Sequence, residues 1–330
     1  MDFSEVRFHA RPGQALRALP LLTLYLSERC NSRCISCDWW RHGKQDFSVA
    51  MLERQLPALA RLGTKVVMLS GGEPLLHPEW MGVAALLRRH GIQPWLLTAG
   101  LALAKHSVEV ARLFQSVTVS LDATDARSYA RIRGVDAFDA VCRGIRSMAD
   151  LGRPVSLRTT VQRSNFQDLP EIVRLARSLG AASISFLAAD VGGGAAFGRQ
   201  GNADAALALT AEDLPLFDAV LDKLCTDAGG FILEGETKLR RLASYFRALL
   251  GENDFPPVRC NAPEFSAVLE ADGALRPCFF IKGSQLDVDA PLDERINSAE
   301  QASLRAGIAK GQRPECRTCV CSMWRENARL

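Results

Sequence analysis

The sequence carries no strong charge of either sign: 40 basic and 37 acidic side chains leave a formal +3 over 330 residues. So small a bias gives no electrostatic case for a nucleic-acid partner or a membrane surface. Long hydrophobic runs are also missing, and no stretch approaches the length that spans a bilayer. A secretory h-region is lacking too. The run Leu19 to Leu26 is short, contains Pro20, Thr23 and Tyr25, and leads straight into a cysteine-bearing segment. There are no internal repeats. What remains is 48% hydrophobic and 23% charged, as in a soluble globular enzyme large enough to bury a substantial core.

Ten cysteines without a secretory signal point to a reducing cytoplasm and to metal ligation over disulfides. Three of them, Cys30, Cys34 and Cys37, follow the apolar run Leu21 to Leu26. Three thiolates can hold three irons of a cubane [4Fe–4S] cluster and leave the fourth iron open to another ligand. Two other readings stay open. The spacings i, i+4 and i+7 fit one face of a helix, with the cysteines as small core residues. Asn31, Ser32, Arg33 and Ser36 are mediocre helix formers, however, so the segment reads as a loop at a strand end. A tetrahedral zinc site would need a fourth ligand, for which His42 is the local candidate.

Six short apolar or β-branched runs, near 21–26, 65–70, 93–98, 116–121, 155–161 and 181–187, alternate with stretches of helical periodicity. The latter include Val49 to Leu62, Met81 to Arg89, Phe138 to Leu151 and Leu169 to Leu179; Gly63, Gly91, Gly152 and Gly180 stand at their ends as C-caps. Repeated βα units predict a parallel sheet with right-handed crossovers. Six units are too few for an eight-stranded barrel, so the expected fold is α/β, a partial (β/α)6 TIM-like barrel.

The pattern changes after Leu187. Gly192 to Gly201 reads as a flexible loop or lid, two helical segments cover roughly 211–228 and 236–250, and Pro256-Pro257 marks a boundary. Beyond it lie Cys260, Cys278, Cys316, Cys319 and Cys321, with a hairpin expected from the runs 267–270 and 274–280 around Asp272-Gly273. The predicted division is an N-terminal extension over 1–19, a barrel over 20–205, a helical linker over 206–255 and a cysteine-rich domain over 256–330. Four of these late cysteines could make a closed iron–sulfur cluster or a zinc site.

A Gly71-Gly72-Glu73-Pro74 turn follows the second strand-like run. In a parallel α/β sheet the C-terminal strand ends line the ligand site, and the cysteine segment leaves the first strand at that same edge. Two glycines allow close backbone approach, and a glutamate beside them can accept from a cationic amine.

Cys-x3-Cys-x2-Cys after strand one, with Gly-Gly-Glu-Pro after strand two, resembles the radical S-adenosylmethionine (SAM) superfamily over Leu21 to about Leu187. One departure is Ser36, where that family usually has an aromatic; Trp39 and Trp40 are candidates to cover a cluster instead. The resemblance implies that the open iron is chelated by the methionine part of SAM. Reductive cleavage would then release a 5′-deoxyadenosyl radical that abstracts a substrate hydrogen. It assigns Gly71, Gly72, Glu73 and Pro74 to the SAM amino group. Thr98, Ser120 and Asp122 become candidate ribose contacts, and Arg158 and Thr160 further candidates. The pattern Cys-x12-Gly-x4-Cys followed by Cys-x2-Cys resembles the auxiliary-cluster region of SPASM and twitch enzymes. It implies a second [4Fe–4S] cluster on Cys260, Cys278, Cys316 and Cys319, with Cys321 as substitute ligand or free thiol.

The shorter twitch layout, resembling the inosamine dehydrogenases of aminoglycoside pathways, implies a two-electron oxidation of a small molecule. Epimerisation and peptide maturation are the alternatives, and a non-catalytic zinc or iron–sulfur protein is a third. The expected partners are a small-molecule or peptide substrate and a flavodoxin or ferredoxin electron donor. The roughly twenty residues before the first strand weigh against the built-in leader-peptide domain that peptide-maturing relatives often carry, while allowing a separate partner protein. Cys142 and Cys225 read as core residues or, alternatively, as hydrogen-atom donors. His77 is expected to cap the helix at Glu79 or to touch ligand.

Overall fold

The structure, a computed structural model, describes residues 15–191, 196–198, 205–226, 230–284 and 287–325. Six strands form where apolar and β-branched residues cluster: β1 (Leu21–Ser27), β2 (Val66–Gly71), β3 (Gln93–Thr98), β4 (Ser116–Ser120), β5 (Ser156–Val161) and β6 (Ser183–Ala188). Each pairs in parallel with its sequence neighbour. Between them run α1 (Trp39–His42), α2 (Val49–Arg61), α3 (Trp80–Arg89), α4 (Ser107–Leu113), α5 (Ala126–Arg133), α6 (Phe138–Asp150) and α7 (Leu169–Ser178). The glycines expected to end four of these helices, Gly63, Gly91, Gly152 and Gly180, all take the left-handed conformation.

The expected C-terminal hairpin is present as β7 (Ser266–Leu269) and β8 (Leu275–Arg276), antiparallel to each other. It does not stand apart from the barrel strands. β7 pairs in parallel with β1, so one open eight-stranded sheet runs β6-β5-β4-β3-β2-β1-β7-β8. Helices α8 (Leu214–Cys225) and α9 (Glu236–Leu249) match the two predicted linker helices, while α10 (Leu292–Ile296), α11 (Ala299–Ala309) and α12 (Pro314–Arg317) follow the hairpin. The glycine-rich stretch 192–201 lies outside the described residues except for 196–198, as does most of the predicted N-terminal extension. Among the described residues no helix is long and apolar enough to cross a membrane.

Sequentially adjacent parallel strands with one crossover hand place their helices on one face of the sheet. Burial follows that rule. Leu22, Leu24 and Leu26 of β1, Val67 and Leu69 of β2, Val117 and Val119 of β4, and Leu157 and Val161 of β5 are buried in one core with Leu52, Leu59, Val83, Leu87, Ile145 and Ile172 of the helices. Each such aliphatic side chain contributes about 1.5–3 kcal/mol on burial. On β3 to β5 the alternate positions are half-open: Trp95 and Leu97, Thr118 and Ser120, Ser156 and Thr160, with Arg158 exposed among them, whereas Thr23, Tyr25 and Ser27 of β1 are buried. This stretch of the inner face, over β3 to β5, is where a ligand can enter.

Candidate functional site

The cysteine segment leaves β1 at the C-terminal edge and is held there by backbone bonds to two neighbouring elements. Gly72 N–H donates to Ser27 O (2.7 Å) and Glu73 N–H to Arg29 O (2.8 Å). Arg33 N–H donates to Arg133 O (2.8 Å) and Ile35 N–H to Ile132 O (3.1 Å), which fixes the loop to the C-terminal end of α5. The close approach of the Gly-Gly turn is to this loop. A Cβ on Gly71 would stand 2.4 Å from Ser27 O, and one on Gly72 2.3 Å from Glu28 O. The two glycines thus let the β2 turn and the cysteine loop meet main chain to main chain. Arg29 adds side-chain anchorage, reaching Asp46 (2.6 Å) and Leu76 O (2.8 Å).

All three thiols of the loop are half-buried. Cys30 Sγ accepts from Ser32 N–H (3.5 Å), Cys34 Sγ accepts from Arg133 Nη1 (3.5 Å), and Cys37 Sγ donates to Phe197 O (3.3 Å). Burial pushes the Cys30 thiol up to about 12, so a thiolate there requires a positive partner. Ser32 Oγ, Asn31 Oδ1 and Arg133 Nε are buried in the same loop and its support with no hydrogen-bond partner. Buried thiols beside two orphaned donors, the Ser32 hydroxyl and Arg133 Nε–H, fit a group that brings both iron and acceptor sulfides. Among the described residues no three His, Cys, Asp or Glu side chains are grouped as one metal ion would need. A cubane differs in giving each thiolate its own iron. Of the two tryptophans considered as covers, Trp39 is buried with Cys37 in a small apolar cluster against Tyr25, 5.4 Å between rings. Trp40 Nε1 donates to Cys34 O (3.3 Å).

The other expected contacts divide into buried braces and open positions. Glu73 is 1% exposed. Its carboxylate accepts from Leu75 N–H (3.1 Å), Ala99 N–H (2.7 Å) and the Thr98 hydroxyl, which lies 2.8 and 2.9 Å from its two oxygens. Burial still pushes this carboxyl above the usual range. Glu73 and Thr98 therefore tie the ends of β2 and β3 together, and Pro74 opens the buried turn that follows. Asp122 is likewise buried: it accepts from Thr160 N–H (2.7 Å) and pairs with Arg133 (2.7 Å). Burial opposes the Arg133 charge, but Asp122 and the Cys34 sulfur more than compensate and hold its pKa above the ordinary value. Ser120, Thr160 and Arg158 are the expected contacts that face the open inner side.

Arg133 and Asn165 escaped the sequence reading. Arg133 presents its carbonyl and guanidinium to the cysteine loop and its charge to Asp122; the Arg133-Gly134 pair ending α5 was the available signal. Asn165, 1% exposed, donates to Asp122 O and Thr160 O, both 3.0 Å. His77 caps as expected: Nδ1 accepts from Glu79 N–H (3.1 Å), so Nε2 carries the proton donated to Phe47 O (3.0 Å). Cys142 is core, and Cys225 packs against that same core.

At the C-terminus five thiols converge from three segments. Cys278 and Cys260 raise the pKa of Cys316, Cys319 and Cys321 alike, so all five interact. Burial is the larger cause, and it takes Cys316 and Cys321 up to about 11. Asn261 clamps the chain end beside Cys260: its N–H donates to Met323 O (2.9 Å), Nδ2 to Arg325 O (2.8 Å), and Oδ1 accepts from Arg325 N–H (3.0 Å). Cys319 Sγ donates to Cys321 O (3.0 Å).

Residues 24–176 match the family model described as Radical SAM superfamily. The chain is 30% identical over 171 residues to a probable GTP 3',8-cyclase of Pyrococcus abyssi, covering 50% of this chain and 55% of that protein. To an AdoMet-dependent heme synthase of Methanosarcina barkeri it is 29% identical over 173 residues, 49% of this chain and 48% of that one. The chain thus spans about half the length of the curated relatives it matches. Streptococcus suis SuiB bound to S-adenosylmethionine shares the fold over 93% of this chain and 73% of its own, TM-score 0.68, at 15% identity. Histidine-tagged anSMEcpe with bound AdoMet does so over 87% and 79%, TM-score 0.63, at 17% identity. Over residues 24–176, somewhat under half of its length, the chain is thus similar to the radical SAM superfamily.

Proposed function

We propose that this chain is a radical SAM enzyme that oxidises a small molecule by two electrons. The observation that carries the reading is that the loop bearing three half-buried thiols is docked, through the main chain of Ser27 to Arg29, onto the Gly71–Glu73 turn at one edge of a parallel sheet. Cys30, Cys34 and Cys37 would hold the catalytic [4Fe–4S] cluster; the Gly71–Glu73 main chain would face the SAM amino group. Ser120 and Thr160 would contact the rest of SAM, while Pro74, Thr98 and Asp122 hold the cradle in shape. Cys260, Cys278, Cys316 and Cys319 would hold an auxiliary cluster, with Cys321 beside it. When bound, these groups supply reductive cleavage of the sulfonium, hydrogen-atom abstraction and an electron acceptor.

The chain's own contribution is placement. Arg133 holds the cysteine loop against α5 and sets its guanidinium 3.5 Å from the Cys34 sulfur. Trp39 and Tyr25 keep water from the Cys37 side. The four-cysteine C-terminal set leaves no iron open to substrate, which suits electron transfer and hence net oxidation. The reductant would be a flavodoxin or ferredoxin.

Peptide modification is the second reading. The fold of SuiB, which has been solved with its precursor peptide SuiA, matches over the C-terminal part as well as the barrel. Reconstituted protein incubated with reductant, SAM and candidate substrates tests both readings. Oxidation gives 5′-deoxyadenosine and a product lighter by two hydrogens. Unchanged mass with one deuterium taken up from deuterated water would mean epimerisation and overturn the oxidation.

A further inference from the structure

Over β1 and β7 the inner face of the sheet is closed, and aromatic side chains close it. Leu22, Leu24 and Leu26 of β1 belong to the outer core, so Tyr25 stands on the inner side, where it packs with Val268 of β7. Trp39, from the cysteine loop, meets the Tyr25 ring edge-on with 5.4 Å between centres. Phe279 lies 6.5 Å from the same ring, the two planes 31° apart. Tyr25, Trp39 and Val268 are buried, and Cys37 and Phe279 pack against them. Phe279 directly follows Cys278. One buried group of side chains therefore reaches from a thiol of the first loop to the chain beside a thiol of the C-terminal set. A second contact joins the same two segments. Phe197 O accepts from Cys37 Sγ (3.3 Å) and Asp38 N–H (2.9 Å), and the Phe197 ring meets Phe280 edge-on at 6.1 Å.

We infer that Trp39, Tyr25 and Phe279 form an electron path between Cys37 and Cys278. Electron tunnelling decays far less steeply through packed atoms than across gaps, and these rings stand at the spacing of touching aromatic pairs, about 4.5–7 Å. The rings serve as the medium: none is itself oxidised, and no atom moves. The inference rests on the radical SAM reading with a [4Fe–4S] group at each end, and says where the electron of the oxidation goes. Hydrogen-atom transfer to the 5′-deoxyadenosyl radical leaves a substrate radical, which loses a proton and passes one electron to the Cys278 side. The rings return that electron to the Cys37 side, where it reduces the next SAM. In sum, SAM and substrate give methionine, 5′-deoxyadenosine, a proton and a product lighter by two hydrogens. SAM is then the oxidant, and flavodoxin or ferredoxin supplies only the first electron.

The test follows both reduced clusters by freeze-quench electron paramagnetic resonance. The reconstituted full chain is reduced with titanium(III) citrate, freed of excess reductant and mixed with SAM alone, the resulting radical being quenched by hydrogen from the buffer. Cleavage of SAM withdraws an electron on the Cys37 side, so in the wild type the auxiliary signal should drain close behind the catalytic one. In Tyr25→Leu the lag between the two signals should lengthen at least tenfold. In Tyr25→Phe, which keeps the ring, it should stay near the wild-type value. Phe279→Leu, at a half-buried position, should lengthen it several-fold and serves where Tyr25→Leu takes up less iron. Iron content and starting signals equal to wild type separate a lost path from a damaged site. An auxiliary signal that does not form, or a lag unchanged in Tyr25→Leu or Phe279→Leu, overturns the path. SAM cleavage that strands the auxiliary electron in the wild type sinks the path alone and leaves that electron to an external acceptor. Absence of cleavage sinks the radical chemistry and the path with it.

Discussion

The chain holds two groups of cysteines built on opposite principles. Cys30, Cys34 and Cys37 lie within one short loop, and the barrel grips that loop from two sides, through Gly72 and Glu73 after β2 and through Ile132 and Arg133 at the end of α5. The C-terminal thiols come from segments as far apart as Cys260 and Cys321, and their joint is made within the region itself, by Asn261 to Met323 and Arg325 and by Ser322 to Arg259. A local ligand set needs the fold to orient it; a dispersed one needs the fold to create it. The first should therefore fail by losing chemistry, the second by losing assembly.

The largest expected effect tests that contrast at the first site. Cys34→Ala should abolish reductive SAM cleavage while the auxiliary irons stay; cleavage at the wild-type rate would remove the loop from the catalytic centre. At the second site, Cys260→Ala with Cys278→Ala should lower iron content by about four per chain, one cubane, and impair turnover while SAM cleavage survives. Iron measured at the wild-type level would make these thiols structural and close the comparison.

Smaller effects sharpen how the barrel grips the loop. Arg133→Met leaves Asp122 buried without its partner and should cost about 3–5 kcal/mol in denaturant unfolding. Adding Asp122→Asn should recover part of that, because the unpaired charge is then gone. No recovery would place the effect in the Arg33 and Cys34 contacts instead. Thr98→Val keeps the shape but removes a hydrogen bond to the buried Glu73 carboxylate, an expected loss of about 1–3 kcal/mol. A thermal melt equal to wild type would show that Ala99 and Leu75 hold that carboxylate alone.

The sequence alone carried the strands β1 to β6, most of the helices between them and the order of the two cysteine motifs. These depend on short-range periodicity and on glycines that end helices, which the chain expresses locally. It also carried the candidate ligands of the first loop, because their spacing is local. Tertiary structure decided the rest. The separation of Gly71 from Ser27 and of Gly134 from Arg33 hid that these glycines exist to let loops touch. Glu73, Thr98 and Asp122 read equally well as ligand contacts until burial showed their polar atoms engaged by one another and by Arg133. β7 reads as half of an isolated hairpin, and only its pairing with β1 makes it part of the eight-stranded sheet. Trp39, Tyr25 and Phe279 acquire a joint role only when the fold brings their rings together. Contacts between residues distant in sequence leave no period in the chain, so only the folded molecule contains them.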